Sequence, residues 1–161
     1  MGESEKNALW YGEKACNTIM RKYEAAKLPP VDRFHYHQGV FLSGMYKIYS
    51  LTKNEAYFDY IKGWVDSQID EEGNIKNYDD GQLDDMQSGI LLYPLMDRTG
   101  DPRYKTALDR IVPKIYDFPK TEEGGFWHMR TLPHQMWLDG LYMGGPICAE
   151  YGYRYHKPEY T

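Results

Sequence analysis

Cysteine is nearly absent: Cys16 and Cys148 are the two in 161 residues, and they stand far apart on apolar stretches. A pair without close spacing builds neither a disulfide framework nor a zinc site, so two buried, reduced thiols are expected. No run approaches the ~20 apolar residues of a membrane-spanning helix. The start, Met1-Gly2-Glu3-Ser4-Glu5-Lys6, carries charges where a secretion signal has its apolar region. A soluble, cytoplasmic protein with no membrane partner is the expectation. Positive charge is also scarce, with 19 Lys and Arg against 24 Asp and Glu, interspersed to a formal net charge of −5. No basic face exists to neutralise phosphates, which argues against nucleic acid as a partner. His35, His37, His128 and His134 lack the HExxH-like spacing of a helical metal site, so no metal is expected.

What the chain does have is aromatic surface. Sixteen Tyr and four Trp bring the aromatic content to 16%, a supply of flat, half-polar faces suited to stacking on sugar rings or to tight helix interfaces. With 42% hydrophobic residues the length supports one ordinary domain with its own core.

Periodicity assigns that core to helices. Leu9, Ala15, Cys16, Ile19, Met20 and Tyr23 recur at three-to-four-residue spacing and predict a first helix ending at Leu28-Pro29-Pro30. A second helix is expected from about His35 to Leu51. A third carries Ala56, Tyr57, Tyr60, Ile61, Trp64, Val65 and Ile69 and closes at the turn Glu71-Glu72-Gly73-Asn74. The same order recurs with a helix over about Leu83 to Met96, a break at Arg98 to Pro102, and a helix over Tyr104 to Tyr116. A third copy begins near Gln135, runs through Tyr151 and breaks at His156-Lys157-Pro158.

The breaks align as Lys53-Asn54-Glu55-Ala56-Tyr57, Gly100-Asp101-Pro102-Arg103-Tyr104 and His156-Lys157-Pro158-Glu159-Tyr160, their tyrosines 47 and 56 residues apart. This is an array of helical hairpins, which periodicity alone leaves as either an open superhelix or a closed toroid. One helix of each pair is rich in small residues and suits an inner layer. The loops of variable length, Glu71 to Gln82 and Lys120 to His134, all fall on the rim where inner helices begin. Loops and helix starts together are where a site forms.

On that rim stand His37-Gln38-Gly39, Asp84-Asp85-Met86 and Leu138-Asp139-Gly140, polar groups from three repeats that converge if the array curves. For an isolated Asp, the plain alternative is a helix cap or dipole partner. Two features speak for chemistry: Asp84-Asp85 puts two like charges where one cap would do, and Asp139 lies among Trp137, Leu141, Tyr142 and glycines. A carboxyl among aromatics is partly desolvated and pushed toward the acid/base range, whereas the helix dipole pulls the other way.

Gly124-Gly125-Phe126-Trp127-His128, then Pro133-His134-Gln135-Met136-Trp137-Leu138-Asp139-Gly140-Leu141-Tyr142-Met143, resembles the signature of the unsaturated rhamnogalacturonyl hydrolases, glycoside hydrolase family 105, which is related to family 88. Leu83-Asp84-Asp85 and His35-Tyr36-His37-Gln38-Gly39 fall where that family has its other substrate-facing elements. The resemblance implies an all-α (α/α)6 toroid, of which residues 1–161 would form a single partial domain. About six of twelve helices would be present, as in a truncated chain.

It also implies Asp139 as general acid/base, and Asp84, His128, Trp137, Tyr36 and His37 as substrate-binding residues, with no metal or organic cofactor. The substrate would be an unsaturated pectic oligosaccharide whose terminal Δ4,5-unsaturated galacturonyl residue is removed by vinyl-ether hydration. Asp84, as a nearby negative charge, would help Asp139 keep its proton. An acidic substrate calls for a local cation, and Arg130 is the obvious candidate. The nearest rival is an unsaturated glucuronyl hydrolase acting on glycosaminoglycan disaccharides; a carbohydrate-binding or structural helical-repeat fragment is the inactive alternative. A half-ring would expose its apolar flanks, so self-association or membership of a longer chain is expected.

Overall fold

The computed structural model describes residues 6–161. Six α-helices carry the fold: α1 (Ala8–Lys22), α2 (Tyr36–Thr52), α3 (Glu55–Gln68), α4 (Leu92–Thr99), α5 (Pro102–Tyr116) and α6 (Leu138–Tyr155). Among the described residues there is no strand, only the isolated bridges Ile69–Ile75, Gln82–Met129 and Lys120–Phe126. Nor, among the described residues, is any helix long and apolar enough to cross a membrane.

Each aligned break is one device used three times. Lys53, Gly100 and His156 end their helices in the left-handed conformation, at φ of 57°, 69° and 53°. Their N–H groups donate back to Tyr49, Met96 and Gly152, which satisfies a terminal carbonyl. The next residue starts the partner helix. Asn54 and Asp101 accept from the backbone N–H of Ala56 and Arg103, and Pro102 sets the first turn of α5. A two-residue connection of this kind forces neighbouring helices antiparallel.

The tyrosines that close the first two breaks bond to the outer layer, whereas Tyr160 packs on Tyr151 of α6. Tyr57 and Tyr104 are fully buried and reach back one outer helix each: Tyr57 Oη donates to Asn17 on α1 at 3.4 Å, and Tyr104 Oη to Asp66 on α3 at 2.7 Å. The outer layer is therefore α1, α3 and α5, stitched in series. Its partner layer is α2, the segment ending in α4, and α6, which pack side by side. Between the layers lie Leu42, Met45, Ile61, Trp64, Leu92, Leu95, Leu108 and Ile111, each essentially inaccessible to solvent. Every such side chain contributes about 1.5–3 kcal/mol by burial.

Two boundaries differ from the sequence reading. The first helix stops at Lys22, and Ala25–Lys27 follows as a separate 3-10 turn, because the chain has already left helical geometry at Tyr23 and Glu24. The expected helix from Leu83 to Met96 is in fact two 3-10 turns, Leu83–Asp85 and Gln87–Leu91, before α4 begins at Leu92. Asp, Ser and Gly are weak helix formers, and Asp85 and Ser88 are held by side-chain bonds to Arg33 and to the carbonyl of His35. Gly39 of α2 lies so close that a Cβ there would fall 1.9 Å from Gln87 Oε1 and 2.9 Å from Ser88 Cα. This close approach brings α2 against the Gln87–Leu91 turn, which directly follows the turn that carries Asp84.

The long loops share a second repeated device. After α3, Asp70-Glu71-Glu72-Gly73-Asn74 is closed by the N–H of Asp70 donating to Asn74 O, and of Gly73 to Asp70 O. After α5, Thr121 and Gly124 make the same two bonds, to Gly125 O and Thr121 O. Gly73 and Gly124 both take positive φ, 73° and 90°, which glycine adopts at little cost. These closed turns fix where each loop sets off across the rim.

Candidate active site

The bridge between Gln82 and Met129 ties the first long loop to the second. It is reinforced by the N–H of Arg130 donating to Gly81 O at 2.9 Å. That register sets His128 beside Asp84. His128 is buried, with its own N–H bonded to Gln135 O at 2.7 Å. Asp139 enters from a third direction, in the first turn of α6, whose cap is Trp137.

One polar atom from each of Asp84, His128 and Asp139 lies within 4.8 Å of the others. His128 Nδ1 and Asp139 Oδ1 are 3.8 Å apart. These two atoms and Asp84 Oδ1 are all buried, and none has a hydrogen-bond partner among the described residues. Buried polar atoms are nearly always satisfied, so three unsatisfied ones converging on one point form a cradle for a guest that brings its own polar atoms. Their spacing would also admit a cation held by two carboxylates and an imidazole.

Trp137 forms the wall of this cradle. Its ring stacks on His128 at 3.8 Å between centroids and 6° between planes, and the residue stays 47% exposed. One face is thus fixed by the imidazole and the other is free to stack on a ring. An adjoining pocket of about 470 Å³ is lined by Gly125, Phe126, Met136, Trp137, Leu138 and Leu141.

Burial raises the Asp84 carboxyl above its ordinary range; His128 opposes the rise, while Asp139 and then Asp85 add to it. The sequence reading gave Asp84 a negative charge as its working form. Desolvation makes that charge costly, so the neutral acid gains weight.

The neighbouring Asp85 has separate partners. Arg33 grips it with Nε to Oδ1 at 3.2 Å and Nη2 to Oδ2 at 3.3 Å, and Gln82 Nε2 donates to Oδ2 at 2.7 Å. Two adjacent carboxyls are thus divided, one to the cradle and one to an ion pair with the half-exposed Arg33. Burial raises Asp85 as well, with the Gln82 hydrogen bond and Arg33 pulling it back.

Tyr36 and His37 are not in the cradle. They stack on each other at 4.2 Å, and His37 Nδ1 lies 2.6 Å from His35 Nδ1. His35 is buried, 3.7 Å from Asp85 through Nε2. Its basicity falls to a pKa of about 4, chiefly through desolvation and then through the charges of Arg33 and His37. Sequence reasoning missed this set, although the alternation Arg33, His35, His37 is a visible signal. Arg130 does not reach the cradle either: its Nε donates to Asp80 O at 3.3 Å and its guanidinium lies over the Phe118 ring at 4.9 Å.

Known proteins share this fold. Unsaturated rhamnogalacturonyl hydrolase YesR of Bacillus subtilis (strain 168) is 27% identical over 128 residues, which are 76% of this chain and 36% of that protein. A solved glycoside hydrolase from family 105 of C. acetobutylicum ATCC 824 superposes with a TM-score of 0.81 at 32% identity, over 93% of this chain and 42% of the other. The chain thus spans about two fifths of the length of these relatives, and its hairpins are the corresponding arc of their helical fold. The profile of Glycosyl Hydrolase Family 88 matches residues 11–161, from the first turn of α1 to the last residue, and the chain belongs to that family.

Proposed function

We propose that this chain supplies the acid/base part of a hydrolase site that removes a terminal Δ4,5-unsaturated galacturonyl residue from rhamnogalacturonan oligosaccharides. The observation that carries the reading is the convergence of Asp84 Oδ1, His128 Nδ1 and Asp139 Oδ1, all unsatisfied, beside the open face of Trp137. The substrate class is supported by the likeness to YesR.

Asp139 is half-exposed at the cradle mouth and is the group placed to meet a substrate carbon. Its carboxyl gives a proton to C4 of the vinyl ether, and the cation that builds at C5 is stabilised by the ring oxygen. Water adds at C5 and returns a proton to the Asp139 carboxylate, after which the hemiketal opens and releases the shortened chain. Asp84, favoured as the neutral acid by burial, orients the water or a hydroxyl as a donor without setting a second full charge beside Asp139. Ordinary glycoside hydrolysis instead uses two carboxylates that flank the anomeric carbon.

Turnover is followed as loss of the ultraviolet absorbance of the conjugated double bond of unsaturated rhamnogalacturonan disaccharide. The host is this chain, or a family 105 enzyme whose matching part is replaced by residues 11–161. Asp139→Asn should abolish turnover while disaccharide binding persists; full activity in that variant would sink the assignment. The match to the family 88 profile favours a second reading, unsaturated glucuronyl hydrolysis of glycosaminoglycan disaccharides. The ratio of rates on the two disaccharides decides between them.

The same proposal has the edge of α6 covered by further helices, from a longer chain or a second copy. Leu138 and Leu141 are 88% and 71% exposed there, with Met136, Tyr142 and Tyr153 also open, a larger apolar edge than isolated domains usually show. Sedimentation reads the association directly. The buried, reduced Cys16 and Cys148 fit a cytoplasmic setting.

A further inference from the structure

Behind the exposed His37 stands a line of polar groups, of which His35 and Asp85 are buried. Arg33 holds Asp85 through two hydrogen bonds, and Gln82 adds a third. Asp85, at 2% exposure, turns Oδ1 toward His35 Nε2 at 3.7 Å. This is too long for a hydrogen bond, yet close enough that a lone pair facing the carboxylate would be repelled and an N–H attracted. His35 Nε2 therefore carries the hydrogen. His35 is neutral at ordinary pH, since its pKa lies near 4, so its Nδ1 is a bare acceptor. The 2.6 Å contact between His35 Nδ1 and His37 Nδ1 requires one hydrogen, and His37 must supply it. Stacking on Tyr36 at 4.2 Å then fixes the plane of the His37 ring.

We propose that Arg33, Asp85 and His35 form a relay that locks His37 as its Nδ1–H tautomer, so that Nε2 of this exposed residue meets the ligand as a hydrogen-bond acceptor for a sugar hydroxyl. An isolated neutral imidazole in water favours the opposite tautomer, with hydrogen on Nε2. The relay thus reverses the choice solvent would make, and discriminates against ligands that offer a carbonyl or ether oxygen where a hydroxyl belongs. His37 is a ligand-binding group in this account, and Arg33, Asp85 and His35 are positioning residues. Only a protonated His37 would lower the proton affinity of Asp84, and that influence shows that the relay ends beside the cradle. The identity of the ligand rests on the hydrolase reading above; the tautomer does not.

Long-range proton–nitrogen correlation spectra of the histidine-labelled chain, recorded just above neutral pH, separate the two parts. The expected result is His37 with a protonated Nδ1 and a bare Nε2; a predominant Nε2–H form would overturn the relay. In Asp85→Asn the side-chain amide can donate to His35 Nε2, which should reverse the order and move the His37 hydrogen to Nε2. Should that variant lose its fold with Arg33 unpaired, His35→Phe keeps an apolar ring in the buried position and removes the acceptor, with the same expected switch. A His37 tautomer unchanged in every folded variant would overturn the proposal. Unsaturated rhamnogalacturonan disaccharide should shift the bare Nε2 resonance on binding, and a bound complex that leaves it unmoved would refute the acceptor role. A locked tautomer together with absent turnover would support the relay and count against the hydrolase reading alone.

Discussion

Asp84 and Asp85 show how much one residue of offset decides. Adjacent in sequence and equally acidic, they end in different environments, Asp84 unsatisfied at the cradle and Asp85 gripped by Arg33. The sequence marks the pair as unusual but cannot apportion the two roles, because that depends on a 3-10 turn and on a partner 52 residues upstream. His128 and Trp137 were legible through their motif. Their stacking was not, since it needs the loop to fold back on the start of α6. His35 carries a testable pH dependence. Its folded pKa of about 4 lies below its ordinary 6.5, so between these values the unfolded chain binds a proton that the folded chain excludes. The stability contributed is complete above about 6.5 and lost as pH falls toward 4. Urea unfolding across that window should show this decline, and His35→Phe should flatten it.

At the level of elements, the helical hairpins were readable because their breaks combine two strong local signals, a left-handed C-cap and a side-chain N-cap, in adjacent residues. The segment over Leu83 to Leu91 was not, since its apolar spacing fits a helix and only tertiary bonds wind it tighter. Gly39 is the point of pressure. Gly39→Ala gains a little helix propensity but places a Cβ 2.9 Å from Ser88 Cα, which is backbone and cannot swing aside. A net loss of about 1–3 kcal/mol is expected in chemical denaturation, and turnover should fall too because the Gln87–Leu91 turn that moves directly follows the turn that carries Asp84. Tyr104→Phe tests the outer layer. It removes a 2.7 Å bond from the buried Tyr104 to the partly exposed Asp66, and should cost about 1.5–3 kcal/mol with no change in the rate of any reaction at the rim.

Across the whole molecule, curvature turns a periodic sequence into a site. Repeats at regular intervals placed polar groups on one rim, and the 4.8 Å convergence of Asp84, His128 and Asp139 is what that rim becomes when inner elements pack side by side. Because Asp84 belongs to one hairpin unit and Asp139 to the next, a sugar held by both is a clasp across the seam between them. Tightening the clasp must tighten the seam. A non-turned-over analogue of the unsaturated disaccharide at a hundredfold its dissociation constant should raise unfolding stability by about 2.7 kcal/mol, seen as a higher melting temperature, and Asp139→Ala should erase much of that gain. Hydrogen exchange should then slow at the Gln82–Met129 bridge, whose two residues lie next to the cradle but outside it. The protein would register its ligand first as a stiffer joint between two repeats.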